Sequence, residues 1–561
     1  MLGIPVDSIP LGGVKLLSAE GRKIAVFHTA EGFFAVDNAC PHEGYPLVQG
    51  DLAGCVLTCI WHNYKFDVRD GKCLMGEEDV DAFACRVADG HVHVDVPPPD
   101  PEAQAAKAWA SLRQGLVEEQ IGRVARDVAR LLLCEVPPER IALEAALYDA
   151  ARAQYGTTHA LPVAAEVLRY LPDYPGVDAT LPLMQAMELA ARSNVRRPVR
   201  VRPEPEAPRV RDVAGEIRRR VEAEDAPGAE GLFRGWLAAG AEPAAVQALL
   251  FDLCADHFLD FGHGLIYVVK AFDLLKRARW EHADLLLGSL VFRIVNGTRE
   301  DLLPDWAGWR KRMDRVEPRL DDLYQNVALT PPAWSAQRFH TRLVRGAPKD
   351  AFAALEEGLA EGVPVMDLVD ALSLGAQERM LHLDLGHDPN PELQNGWLDV
   401  SHIVTFVNAV RHAVERWRDP RVLRLLFQAV RFVNHHRLLD GPTAPLPAIE
   451  STVDEVLGAI LRQDVLEAMR RTQGCVDRAT LWTALKELPL EDAATRPIFT
   501  AHLIKNAFAA EEEHAALDGD PRPLLALVRF FAAPKPERRL RRRVHEAVEF
   551  VVHGNIPKTL T

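Results

Sequence analysis

Cys40-Pro41-His42, sixteen further residues, then Cys59-Ile60-Trp61-His62: two thiolates and two imidazoles, paired Cys-x-His and Cys-x-x-His, are a metal-ligand set. Four ligands of two kinds, in order and at a fixed loop length, do not arise from composition alone. Zinc also accepts Cys2His2, but zinc sites favour Cys-x-x-Cys with His-x-x-x-His and not one mixed pair per loop.

The neighbouring residues narrow the reading. Cys59-Ile60-Trp61-His62-Asn63-Tyr64-Lys65-Phe66-Asp67 with Asp70-Gly71, Asn38-Ala39 before Cys40, and Gly50-Asp51 after the first loop resemble the Rieske ferredoxins and the Rieske subunits of oxygenases. The resemblance covers roughly residues 1–96. It implies a [2Fe–2S] cluster with Cys40 and Cys59 on one iron and His42 and His62 on the other. Neutral imidazoles in place of thiolates raise the reduction potential, and such a centre passes single electrons. Respiratory-complex Rieske proteins carry an extra disulfide-forming Cys in each loop. Here Gly44 or Tyr45 and Ile60 hold those places, so the ferredoxin-like subtype is the better match.

The 561 residues exceed one domain. A net charge of −15 argues against sequence-independent nucleic-acid binding. Eight cysteines without a paired framework fit a reducing compartment. No basic leader and no run of eighteen apolar residues are seen, so a cytoplasmic protein off the membrane is expected. Short strands separated by Gly turns fill residues 1–96. Lys23–His28 and Gly32–Asp37 form a hairpin, and His91–Val96 alternates with period two, with His91 and His93 on a solvated face. Pro97-Pro98-Pro99-Asp100-Pro101 marks a linker over 97–102. Residues 103–561 carry apolar residues at helical spacing. The expected fold class is a small all-β domain followed by a large all-α helical-repeat domain.

The repeat is read from histidines. Asp260-Phe261-Gly262-His263 and Asp399-Val400-Ser401-His402 each follow an apolar helix, each precede an aromatic residue (Tyr267, Phe406), and each lead to an Asn (Asn296, Asn434). The second copy has an insertion near His387–Gly396. Weaker copies centre on His159 and His502, giving units of about 103–200, 228–300, 350–440 and 450–555. In a closed or curved repeat, matched positions face a common centre.

These residues supply the chemistry candidates. Asp260 with His263, and Asp399 with His402, share helix faces and can present two carboxylates and two imidazoles to one metal. Against this, Asp260 and Asp399 can simply be helix caps. His257 is placed to share the His263 pocket, and His159 and His502 to complete a ring. His382 and His387 have the four-residue gap of the oxygenase iron motif, but the acid three residues before is replaced by Arg379. Glu511-Glu512-Glu513-His514 and the Arg538–Arg543 run read as solvated faces, and His435-His436 as a helix end.

The favoured function is an O2-dependent mono-oxygenase or oxidase. Its second, non-haem metal, most reasonably iron, sits at His263 and His402, beside an apolar pocket lined by Tyr267 and Phe406 for a small apolar or aromatic substrate. With no dinucleotide, P-loop or flavin signature in the chain, a separate reductase or ferredoxin supplies the electrons; a homo-oligomer is left open. Two alternatives stand. One is a non-catalytic electron relay or redox sensor on a helical docking scaffold. The other is a metal-free oxidase using histidines as acid–base groups. Phe261-Gly262-His263-Gly264-Leu265-Ile266 and Ser401-His402-Ile403-Val404 faintly resemble the questin-oxidase-like family, which would fit that second alternative.

Overall fold

The period-two segments pair as their alternation requires. The computed structural model describes residues 2–98, 100–327, 334–387, 396–442, 446–491, 496–534 and 540–554. Ten strands, β1 (Leu2–Pro5), β2 (Val14–Ala19), β3 (Arg22–Thr29), β4 (Gly32–Asp37), β5 (Asp51–Ala53), β6 (Val56–Thr58), β7 (Lys65–Asp67), β8 (Cys73–Met75), β9 (Ala82–Ala88) and β10 (His91–Asp95), make two antiparallel sheets. One sheet has the order β1-β10-β9-β4-β3-β2 and the other β5-β6-β7-β8. Each has its own apolar cluster. Val26, Ala35, Val92 and Val94 fill one, while Leu57, Phe66, Cys40 and Cys59 fill the other.

The compact unit that holds the sheets continues past Pro97 and Pro98. It runs from residue 1 to 137 and takes in 175–180, and it includes, beyond the linker expected at 97–102, two helices, α1 (Pro101–Glu118) and α2 (Ile121–Leu133). Asp100 caps α1 by accepting the amides of Glu102 and Ala103. Charge holds α2 in place. Glu78, 6% exposed, accepts from Arg126 at 2.6 Å and from Arg130 at 3.1 Å. Replacing it with Gln (Glu78→Gln) takes the shared carboxylate from two guanidiniums, leaving Arg130 with Asp127 at 2.6 Å and Arg126 with Glu77 at 3.7 Å. Both guanidiniums are partly exposed, so a loss of about 2 kcal/mol is expected, less than for a fully buried pair. Urea unfolding of the variant checks this, and an unchanged midpoint would show that the pair contributes nothing.

The second unit, residues 138–174 and 181–561, is helical. Four of its helices form an inner ring: α3 (Ala160–Val167), α4 (His263–Arg277), α5 (Trp397–Arg416) and α6 (Pro497–Ala516). α3 packs on α4, α4 on α5, α5 on α6, and α6 back on α3. Pro138–Arg152, Ala283–Asn296, Val365–His382, Val422–His435 and Arg522–Ala532 pack outside them. The inner four run parallel and in register. Lys270 meets Glu166 at 2.6 Å, each seven residues past its ring histidine. Arg169 meets Glu512 at 2.5 Å, each ten residues past.

The insertion near His387–Gly396 and the Arg538–Arg543 run fall largely outside the described residues. Among the described residues no helix is long and apolar enough to cross a membrane.

Candidate functional sites

Both cluster loops are built on one turn. After Cys40, the Gly44 amide returns to the Cys40 carbonyl at 2.7 Å and the Cys40 amide bonds the Tyr45 carbonyl at 2.9 Å. After Cys59, Asn63 and Tyr64 repeat the pattern at 2.9 and 2.8 Å. The turn needs a left-handed residue four places after the cysteine. Gly44 (φ 73°) and Asn63 (φ 62°) supply it, and glycine and asparagine are the residues that adopt that conformation most readily.

The two turns bury the sulfurs and expose the imidazoles. Cys40 and Cys59 are 3% and 1% exposed. Burial pushes the Cys40 thiol up to about 11, against the pull of the His42 and Glu43 amides that point at its sulfur. Those amides and the adjoining Cys59 sulfur suit a pair of metal-bound thiolates. His42 and His62 bring their Nδ1 atoms to 3.1 Å of each other. Tyr64 stacks on His42, with ring centroids 4.7 Å apart. The donor set fits a [2Fe–2S] cluster, and all eight cysteines are free, with no disulfide at the loops.

In the helical unit His159, His263, His402 and His502 come together at the amino ends of the inner helices. His263 Nε2 lies 3.1 Å from His159 Nε2, His502 Nε2 lies 3.1 Å from His402 Nε2, and the rings of His263 and His402 sit 4.3 Å apart. The Tyr267 hydroxyl lies 3.3 Å from His159 Nδ1. Three-residue sets can hold a metal: the ligand atoms of His159, His402 and His502 all lie within 4.8 Å of one another.

The two pairs differ chemically. Tyr267 can donate to His159 Nδ1, leaving His159 Nε2–H to donate to His263. His502 has no such freedom. Its Nδ1 donates to the Ile498 carbonyl at 2.7 Å, so its Nε2 turns a lone pair toward His402 Nε2. That lone pair accepts either the Nε2–H of a neutral His402 or a metal ion held between the rings.

Burial first, and then the Lys505 ammonium, hold His159, His402 and His502 well below the usual imidazole range. Burial and the neighbouring His402 do so for His263. Neutral imidazoles are the form that binds metal. Lys505 itself is 2% exposed and its Nζ has no hydrogen-bond partner among the described residues; burial lowers it to about 7. No spacing in the sequence pointed to it.

The other sequence candidates are placed elsewhere. Asp260 bonds the Arg293 guanidinium at 3.0 Å and the Thr298 amide at 2.8 Å, and Asp399 accepts the Gly396 amide at 2.7 Å. Both carboxylates are spent on local donors, so the expected acidic ligands are absent from the four-histidine group. His257 turns away to Asp301 and Glu222, at 2.9 and 3.2 Å. His382 closes the helix Val365–His382 beside Glu378, and among the described residues neither it nor His387 joins a metal-capable group. Phe406 lies in the apolar core, 5.2 Å from Phe258 between ring centroids, under Gly262. A Cβ at Gly262, whose φ is 86°, would sit 2.4 Å from the Phe406 ring, so that position requires glycine. Glu511–Glu513 is not a solvated face. Glu512 takes His412 and Asn408 at 3.1 and 2.9 Å, and Glu513, 1% exposed, takes Arg411 at 2.7 Å.

The buried imidazoles set a pH dependence. The unfolded chain binds protons at the four ring histidines near pH 6.5, whereas the folded chain does not, so stability falls as pH drops below that value. Each contributes at most about 1.4 kcal/mol per pH unit, or about 5 for the four. His435 (about 3) and His436 (about 4), both lowered first by burial, add to this. Glu300, raised by burial to about 8, and His257, raised by Asp301, oppose it. His382, lowered by burial, acts with the six, and raised buried carboxylates such as Asp149 act with the two, but the histidines prevail because their ordinary value lies inside the pH window while that of a carboxylate lies below it. Denaturant unfolding of metal-free protein should weaken steeply from pH 7 to 5.5, and a flat profile would refute the assignment of these rings as neutral.

Comparison with known proteins agrees with the cluster loops. Residues 3–84 match the Rieske [2Fe-2S] domain model. Over 65 residues the chain is 40% identical to a cholesterol 7-desaturase of Hemicentrotus pulcherrimus, covering 11% of this chain and 14% of that protein. Over 69 residues it is 35% identical to the ferredoxin component of the naphthalene 1,2-dioxygenase/salicylate 5-hydroxylase systems of a Ralstonia species, covering 12% of this chain and 66% of that protein. Over 94 residues it is 31% identical to the 3-phenylpropionate/cinnamic acid dioxygenase ferredoxin subunit of Photorhabdus laumondii, covering 16% and 89%. The chain thus spans under two thirds of the first two relatives. The Rieske domain implies a [2Fe–2S] cluster and a role in electron transfer. Through this amino-terminal domain the chain belongs to the Rieske [2Fe–2S] family.

Proposed function

We propose that the protein is a Rieske-fed oxidoreductase in which electrons from a separate donor are used at a metal held by His159, His402 and His502, with His263 beside them, to oxidise a small apolar or aromatic molecule with dioxygen. The observation that carries this reading is the convergence of three imidazoles, with the ligand atoms of His159, His402 and His502 all within 4.8 Å of one another. His502, its Nδ1 tied to the Ile498 carbonyl, turns its Nε2 lone pair into that group, 3.1 Å from His402 Nε2. An all-imidazole set suits iron, copper, zinc or nickel, and iron or copper would give the electrons supplied by the cluster a redox partner. A metal bound there supplies a redox-active Lewis acid.

The chain's own residues do the rest. The Ile498 carbonyl fixes the orientation of the His502 ring, as outer-shell partners of metal-binding histidines do. Tyr267 holds the His159 ring by its hydroxyl. The apolar helices exclude water, and the Glu166–Lys270 and Arg169–Glu512 pairs lock the four helices in register. Membership of dioxygenase and desaturase systems among the relatives' names supports a redox setting.

Metal analysis of the full chain after reconstitution tests the proposal. The expected result is a redox metal beyond the two cluster irons, one that Rieske-only variants retain. Two irons and nothing else would remove the second site and leave the protein an electron relay.

A further inference from the structure

A cavity of about 510 Å3 lies in the helical unit, away from the four histidines. Helix Ala307–Val316 contributes Arg312, the start of helix Pro348–Ala360 contributes Lys349, and the end of helix Val422–His435 and the turn after it contribute Arg431 and Arg437. Against these four cations the lining holds one carboxylate, Asp305.

That carboxylate is already engaged, at 2.7 Å from Arg431. Arg437 turns to the carbonyl and side-chain oxygen of Asn434, at 3.1 and 3.2 Å, and Arg312 to the Gly308 carbonyl at 2.6 Å. These are neutral acceptors that leave the charge uncompensated. Among the described residues Lys349 has no ion pair. Elsewhere in this unit many arginines meet carboxylates, as Arg411 does Glu513, Arg169 Glu512 and Arg200 Glu230, and those that bond carbonyls, such as Arg202 and Arg529, are not gathered with others around this cavity. An excess of positive charge gathered around one cavity, in a chain of net charge −15, is therefore a local departure.

A second feature has the same sign. Helix Pro348–Ala360 begins at the cavity, and its cap, Ala347, has no polar side chain to accept an amide. Pro348 carries no amide, the Asp350 and Ala351 amides go to the Ala347 carbonyl, and the Lys349 amide is left at the positive end, with Asp350 the one acid of the first turn. Trp309 and Phe352 give the cavity an apolar wall. The volume falls in the range of small-molecule sites, and guanidiniums pair in two-pronged fashion with carboxylate or phosphate oxygens.

We propose that this cavity binds a small organic anion, an apolar or aromatic body carrying a carboxylate or phosphate head, with the head among Arg312, Lys349 and Arg437 and the body against Trp309 and Phe352. The proposal does not depend on a metal at the four histidines.

Calorimetric titration of the full chain at low ionic strength with phenyl phosphate, benzoate and inorganic phosphate tests it. Saturable binding is expected for phenyl phosphate or benzoate, whichever is tighter naming the head group, and that probe should bind more tightly than inorganic phosphate. In the double variant Lys349→Met/Arg437→Gln that binding should weaken at least tenfold. Without any anion, the same variant should unfold at an equal or higher temperature than the parent, because two like charges have been removed; a purely structural role for these residues would lower it. No saturable binding of phenyl phosphate or benzoate, or unchanged affinity in the double variant, would overturn the proposal.

Discussion

Replacing His402 and His502 together with alanine should abolish metal binding in the helical unit and leave the optical and paramagnetic signals of the cluster unchanged. The two imidazoles meet at 3.1 Å, and His502 has its other ring nitrogen tied to the Ile498 carbonyl of its own helix. Its Nε2 lone pair is thereby fixed toward His402, with a third imidazole donor, from His159, within 4.8 Å. Disturbing an outer-shell partner of a metal ligand commonly costs about 10- to 100-fold in affinity. Removing two ligands outright should exceed about 100-fold. The controls are His257→Ala and His382→Ala, which lie on Asp301 and Glu378 and should keep the metal. His502→Gln is the milder variant should the double one unfold. If the double variant holds as much metal as the parent, the four rings are packed core residues and the second site does not exist.

How far the sequence revealed this depends on how local each signal is. The cluster loops are legible because four ligands, Gly44 and Asn63 all act within a few residues of one another. The ring of histidines is legible for a different reason. His263 opens its inner helix and His402 lies in the second turn of its own, both near the amino end, so their recurrence in the chain becomes convergence in space. The carboxylates misled because Asp260 and Asp399 stand at positions where a nearby amide or guanidinium claims an acidic side chain before a distant metal can. Glu512 and Glu513 looked like solvent-facing charge because the partners that bury them, Arg411 and Arg169, lie about 100 and 340 residues away. Lys505 gave no signal at all. A lysine on a helix is ordinary, and only the closed ring turns it into a buried amine without a partner.

Cys59→Ser should yield a protein with no cluster absorption and no reduced-state paramagnetic signal, while the metal at the four histidines stays. Cys59 is 1% exposed, and its amide and carbonyl close the second turn onto Tyr64 and Asn63. The backbone can therefore hold its shape with serine in place. What changes is the donor. A serine hydroxyl is far harder to ionise than a thiol and offers a hard oxygen to an iron that prefers soft sulfur. Because metal binding and folding are linked, the amino-terminal unit should also lose stability on the order of several kcal/mol relative to the cluster-loaded parent. On the proposed route, in which electrons reach a metal in the helical unit by way of the cluster, reduction of that metal by an external donor protein should stop. Combining this variant with His402→Ala/His502→Ala separates the two sites. Independent sites predict additive metal loss. A Cys59→Ser protein that keeps the cluster's signal would mean that the four residues at 40, 42, 59 and 62 are not its ligands, and the electron supply to the helical unit would have to be sought elsewhere.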